Sequence, residues 1–159
     1  EIKAVLEIYS LTSLTRAMKS KLLIYKSLIF KGGISQEVVK KKQDEADILV
    51  HVESFDLKER LLVRQSFSTK IVDYLQASRC VFAVGNKGTA SINYLLNNDA
   101  AVVSNKKEIE SELKKLIDSP KKIIEYGNKA WRCGMKNHQI SEIQSMLVND
   151  FNKIIDKKK

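Results

Sequence analysis

Between residues 64 and 75 the chain reads Arg64-Gln65-Ser66-Phe67-Ser68-Thr69-Lys70-Ile71-Val72-Asp73-Tyr74-Leu75. Three hydroxyls gather at the predicted start of a helix, followed by an ammonium at Lys70 and, about one turn in, the carboxylate of Asp73. Free main-chain N–H groups at such an end, with hydroxyls and one cation, are the components of an anion pocket, and a phosphate fits it. Lys70 is out of place in a plain helix, because the dipole disfavours a cation at that end. Serine and threonine before a helix are also ordinary caps, and the residues alone leave the two readings level. Asp73 offers a two-oxygen acceptor that can take two hydroxyls at once. The dipole also favours a carboxylate there, which is its purely structural reading.

Other polar positions carry less. Lys31-Gly32-Gly33-Ile34 and Gly85-Asn86-Lys87-Gly88 each follow an apolar run and read either as turns or as places of close approach to a ligand. Glu53 stands at the end of Asp47-Ile-Leu-Val-His-Val52, a favourable place for a functional carboxylate. His51, inside that run, reads as a buried histidine. His138 reads as a helix-end residue, where an imidazolium is welcome. Trp131 and Tyr126 read as packing.

The elements that must position these groups alternate. Strands are expected at Ala4–Tyr9, Ser27–Lys31, Asp47–Val52, Val81–Val84 and Ala100–Val103, and helices near Leu14–Tyr25, Ser35–Glu45, Ser68–Ala77 and Thr89–Asn97. A polar loop is expected between Val52 and Ser68. Short strands apolar on both faces, each followed by a crossover helix, predict an α/β fold: a Rossmann-like doubly wound parallel sheet of five or six strands. Beyond Ser104 the pattern is helical. One helix ends near Ser119-Pro120, a second covers Lys122–Gly134, and a third places Ile143, Leu147, Phe151, Ile154 and Ile155 on one stripe. Ligands of such folds bind at the carboxyl ends of the strands, which selects the loops after Tyr9, Lys31, Val52 and Val84.

Three segments together resemble the C-terminal domain of family-four retaining glycosyltransferases: Gly32-Gly33-Ile34-Ser35, Glu45-Ala46-Asp47-Ile48-Leu49-Val50, and Ser66 through Leu75. Val81 to Gly85, the helix before Pro120, Asn128-Lys129-Ala130 and Asn137-His138 continue the likeness, which spans roughly residues 2 to 155 in one order. The resemblance implies a B-type enzyme of two Rossmann-like domains, with residues 1–159 as the single donor-binding domain and the N-terminal acceptor domain absent from the sequence. It implies sugar transfer with retention from a nucleotide diphosphate sugar, without a cofactor or a bound metal. The family's two glutamates, with seven residues between them, fall on Gln65 and Asp73. On that mapping Gln65, Ser66, Phe67, Ser68, Thr69, Lys70 and Gly85 meet the phosphates and sugar. Lys31, Gly32, Gly33 and Asp73 meet the nucleoside, with Glu53 a further candidate and no residue assigned to catalysis. Gln65 departs by losing the charge. The family's opening strand and helix, which carry an arginine and a lysine for the diphosphate, have no counterpart in the matched order, and Arg16 does not stand in for them. A non-catalytic nucleotide-binding or regulatory domain is the alternative.

Composition narrows the classes further. The net charge of +9 invites nucleic acid, but 14 Lys/Arg face 10 Asp/Glu in residues 1–80 and 14 face 9 in residues 81–159. An excess spread so evenly is not the stripe of a nucleic-acid binder. It fits phosphate-bearing ligands or a weak peripheral attraction to an anionic membrane, and the runs Lys40–Lys42, Lys114-Lys115, Lys121-Lys122 and Lys157–Lys159 read as solvated. Cys80 and Cys133, with only two histidines, are too few for a structural zinc site and fit a reducing, cytoplasmic setting. No signal segment opens the sequence, and no apolar run spans a bilayer.

Overall fold

The computed structural model describes residues 4–22 and 24–156. The tail Lys157-Lys158-Lys159, the opening Glu1-Ile2-Lys3 and Leu23 lie outside the described residues. The chain forms β1 (Leu6–Tyr9), α1 (Arg16–Leu22), β2 (Leu28–Gly32), α2 (Gln36–Glu45), β3 (Ile48–Val52) and α3 (Leu57–Val63). It continues through α4 (Lys70–Gln76), β4 (Cys80–Val84), α5 (Ala90–Asn97), β5 (Val102–Ser104), α6 (Ile109–Ile117), α7 (Pro120–Asn137) and α8 (Ile140–Asp156).

All strand pairs are parallel, as the apolar runs predict, but the five strands form two sheets rather than one. β1 pairs with β2, and separately β3, β4 and β5 stand in that order. β4 is the centre of the second sheet, and all five of its residues are buried. On one face Val81 and Ala83 pack with Ile71 and Leu75 of α4, Ile92 and Leu95 of α5, and Ala130 and Cys133 of α7. On the other, Cys80, Phe82 and Val84 pack with Leu116 of α6. A strand covered on both faces must be apolar throughout, and Cys-Val-Phe-Ala-Val is. Burial pushes the Cys80 thiol up to about 12, so it behaves as a small hydrophobe.

One local expectation is corrected. The polar loop after β3 contains α3, capped by Asp56, whose carboxylate accepts from the N–H groups of Lys58 and Glu59. The helix expected to end near Ser119-Pro120 is α6, which ends at Ile117, and Pro120 opens α7, at the first turn where its missing N–H costs nothing. The apolar stripe of α8 forms as a stripe but stays exposed, with Phe151 at 63%.

Candidate functional site

Segment 64–70 lies over the carboxyl end of the β3–β4–β5 sheet, held there by α5. Ala90 N–H donates to Arg64 O at 3.0 Å. Ser68 N–H donates to the Oγ of Ser91 at 3.1 Å, and that hydroxyl lies 3.5 Å from Ser66 O. Ser91 is fully buried. Phe67 anchors the middle of the segment: its ring meets Tyr94 edge-on at 5.0 Å and stacks on His138 at 6.1 Å. The loop therefore owes its path to α5 and the end of α7, with its even-numbered main chain and one aromatic ring turned inward.

What it leaves outward is polar. Gln65, Ser66, Thr69, Lys70 and Asp73 are exposed. Thr69 is the N-cap of α4, yet its side chain makes no capping hydrogen bond. Thr69 therefore does not serve as a side-chain cap of α4. Asp73 lies in the first turn of α4, on the opposite side from the buried Ile71 and Leu75. Beside it, Tyr74 reaches back to within 3.5 Å of Val50 O, and burial, then the Asp73 charge, raise its phenol.

Glu53 directly follows β3 and is nearly buried. Its Oε1 stands 3.4 Å from Nε2 of the buried His51, while Oε2 is buried without a hydrogen-bond partner. Gly85 follows β4 against it. A Cβ there would lie 2.7 Å from Ile92 Cγ1 and 3.2 Å from Glu53 Cβ, so the glycine serves packing at this spot. His51 and Glu53 are thus a polar pair inside the sheet end, with Glu53 Oε2 buried and uncommitted.

The glycine turn predicted to meet a nucleotide base sits apart, on the other sheet. Gly32 has φ +76°, the left-handed region that glycine enters freely, and the end of the exposed Leu11 side chain lies where a Gly33 Cβ would be. Lys31 pairs with Glu7 at 3.4 Å.

Sequence reasoning missed the polar cluster behind Phe67. Tyr94 Oη lies 2.8 Å from His138 Nε2 and 3.3 Å from Cys133 Sγ, and Asn137 Nδ2 donates to it at 3.1 Å. Burial, helped by the Cys133 contact, pushes the Tyr94 phenol up to about 12. Burial also lowers His138 below its ordinary value, the reverse of the helix-end imidazolium expected from sequence. His138 does stand at the C-cap of α7.

No family model matches the sequence, and no curated protein matches it. A solved structure does: WaaG, a glycosyltransferase involved in lipopolysaccharide biosynthesis, superimposes with a TM-score of 0.63 at 14% identity over 84% of this chain. The fold is glycosyltransferase-like. This chain spans about a third of that protein, 34% of its length. Among the described residues, no helix is long and apolar enough to cross a membrane, and no group of three or more His, Cys, Asp or Glu is placed to hold a metal ion.

Proposed function

We propose that this chain is the donor-binding half of a glycosyltransferase, holding a nucleotide diphosphate sugar at the carboxyl end of the β3–β4–β5 sheet. The diphosphate lies along Ser66, Ser68, Thr69 and Lys70, and Asp73 accepts the ribose hydroxyls. The observation that carries this reading is the pinned segment itself. Ser91 and Phe67 fix its course, while the exposed Thr69 side chain caps nothing and Lys70 and Asp73 point to solvent. A fixed main chain with uncommitted polar groups is what a preorganised phosphate site needs. The glycosyltransferase-like fold supports the class of reaction. An N-terminal half would bring the acceptor, with retention the stereochemistry that the family resemblance implies. Neutralising charge on the departing diphosphate is this half's contribution, and it requires no nucleophile here.

A second reading, a nucleotide-binding domain without transferase activity, is favoured by one feature. Gln65 replaces the acidic residue expected at the donor sugar. Lys31, moreover, is occupied by Glu7.

Calorimetry with nucleoside diphosphates at low salt tests the binding proposal. Weak binding that fades as salt rises is expected, since exposed phosphate contacts are screened within about 10 Å at 0.1 M salt. Absence of binding to any of them would sink both readings. Binding by this chain, with no turnover when it is joined to an acceptor domain, would select the second.

A further inference from the structure

Among the described residues, two side-chain polar atoms are buried without a hydrogen-bond partner, Glu53 Oε2 and Arg60 Nε. Both fall in the short stretch between β3 and the segment proposed to hold the diphosphate. A carboxylate oxygen buried and unpaired is costly, and native proteins seldom leave one so without a use for it.

The register of the ladder places that oxygen. His51 stands opposite Ala83, and Ala83 packs with Ile71 of α4 and Ile92 of α5. His51 therefore points to the face that these two helices cover. Glu53 extends β3 by one step, its N–H donating to Val84 O at 2.9 Å. Two residues on from His51, its side chain shares that face. Ile71 and Ile92 belong to the first turns of their helices, so Glu53 stands at the sheet end where α4 and α5 both begin. Gly85 marks how close it comes. The point its Cβ would occupy is 3.2 Å from Glu53 Cβ and 2.7 Å from Ile92 Cγ1. Ser91, the neighbour of Ile92, accepts from Ser68 N–H, so Glu53 and the pinned segment flank one turn of helix.

That turn is itself unfinished. Thr89, its N-cap, makes no side-chain capping bond, and its hydroxyl donates to Asn86 O at 3.0 Å. Ala90 N–H donates to Arg64 O, and Asn93 N–H to Thr89 O. Between them, the N–H groups of Ser91 and Ile92 find no acceptor among the described residues, although both residues are fully buried. An oxygen that must accept and main-chain groups that must donate are the two halves of a hydroxyl site, since a hydroxyl does both. A phosphate or a second carboxylate does not suit it, because the Glu53 charge repels either.

We propose that Glu53 reads the transferred sugar: Oε2 accepts a hydroxyl of a neutral hexose, whose oxygen takes the N–H groups at the start of α5. The inference rests on the donor site proposed above and adds that the donor carries a neutral sugar, not an acidic one. Reaching Oε2 requires the chain to open there. α3, which follows Glu53 closely and carries the other orphan at Arg60, buries none of its residues, so displacing it costs little buried surface.

Calorimetry at low salt tests it with UDP, ADP and GDP, then with the glucose, galactose, mannose and glucuronate esters of whichever binds. At least one neutral ester should bind about 10-fold or more tighter than the glucuronate ester, which brings a like charge to Glu53. Glu53→Gln should cost that neutral ester about 10- to 100-fold, the scale of a hydrogen bond to a charged group, and leave the nucleoside diphosphate within about twofold. It should also narrow the gap between neutral and acidic esters. A glucuronate ester that binds the parent chain as tightly as every neutral ester would overturn the proposal, and this comparison decides alone where the variant does not fold. An unchanged neutral ester in Glu53→Gln would mean that Oε2 holds an internal water only, and would overturn it too. Equal losses for nucleoside diphosphate and ester would make Glu53 a support of the fold, with the same consequence. If no nucleoside diphosphate or ester binds at all, the donor site itself fails, whereas binding without preference among sugars sinks this inference alone.

Discussion

Ser68 and Ser91 are joined by a hydrogen bond across 23 residues of sequence, from the N–H of one to the buried Oγ of the other, at 3.1 Å. Ser91 is a helix residue that contributes nothing to its own helix cap, and it fixes the segment proposed to hold the diphosphate. Ser91→Ala leaves the Ser68 N–H without its acceptor. The expected cost is about 1–2 kcal/mol of folding stability, together with weaker nucleoside diphosphate binding, because the segment is no longer held before the ligand arrives. Denaturant unfolding and calorimetry on the same variant check both effects. A variant as stable as the parent would show that the bond is incidental.

That contact marks where the sequence stopped being informative. β4 was legible because five successive apolar residues between turn residues admit one reading, a doubly covered strand. α3 was legible in principle: Asp56 followed three residues later by Glu59 is a capping signature. Its leucines stay exposed, with Leu62 at 84%, so no core-facing stripe advertised it. The hydroxyls and Lys70 could be singled out because their types and spacing are local. Ser91, Tyr94 and His138 could not, since their partners lie 23 to 44 residues away and only packing brings them together. The split into two sheets escaped for the same reason, because strand periodicity carries no information about which edges meet.

The Tyr94–His138 pair should make stability depend on pH. Burial holds His138 below its ordinary value of 6.5, so between the two values the unfolded chain binds a proton that the folded chain does not. Stability should therefore fall as the pH drops below about 6.5 and through that window, and be level above it as far as this group is concerned. Replacing the ring by an amide in His138→Gln should flatten this part of the profile. Thermal melts of both proteins from pH 5 to about 8 are the check, and parallel profiles would refute the assignment.

Gly85→Ala should be costly although alanine is small. The new Cβ would meet Ile92 Cγ1 at 2.7 Å and Glu53 Cβ at 3.2 Å, beneath the proposed site. Overpacking of this kind costs about 1–3 kcal/mol. Because Ile92 is the closest obstacle, the cost in an Ile92→Ala background should be smaller, giving a favourable coupling in a double-mutant cycle. Additive losses would mean that the strand end relaxes and Ile92 is not the constraint.

Asp73 separates a ligand contact from a helix-start charge. It lies exposed in the first turn of α4 while its neighbours along the chain, Ile71 and Leu75, are fully buried. Its main-chain oxygen accepts from Ala77 N–H at 3.0 Å, an ordinary helical bond that a side-chain change leaves in place. Asp73→Asn keeps the size and removes the charge and one acceptor. If the carboxylate accepts both ribose hydroxyls, nucleoside diphosphate affinity should fall by about 5- to 100-fold, the range for losing a hydrogen bond to a charged group. The melting temperature should hardly move, since an exposed carboxylate near a helix start contributes only about 0.3–1 kcal/mol. A 2′,3′-dideoxy ligand supplies the control, because it lacks the hydroxyls and should bind parent and variant alike. Should the variant melt well below the parent while keeping its nucleotide affinity, Asp73 serves the helix, and the ribose must be bound elsewhere on the sheet end.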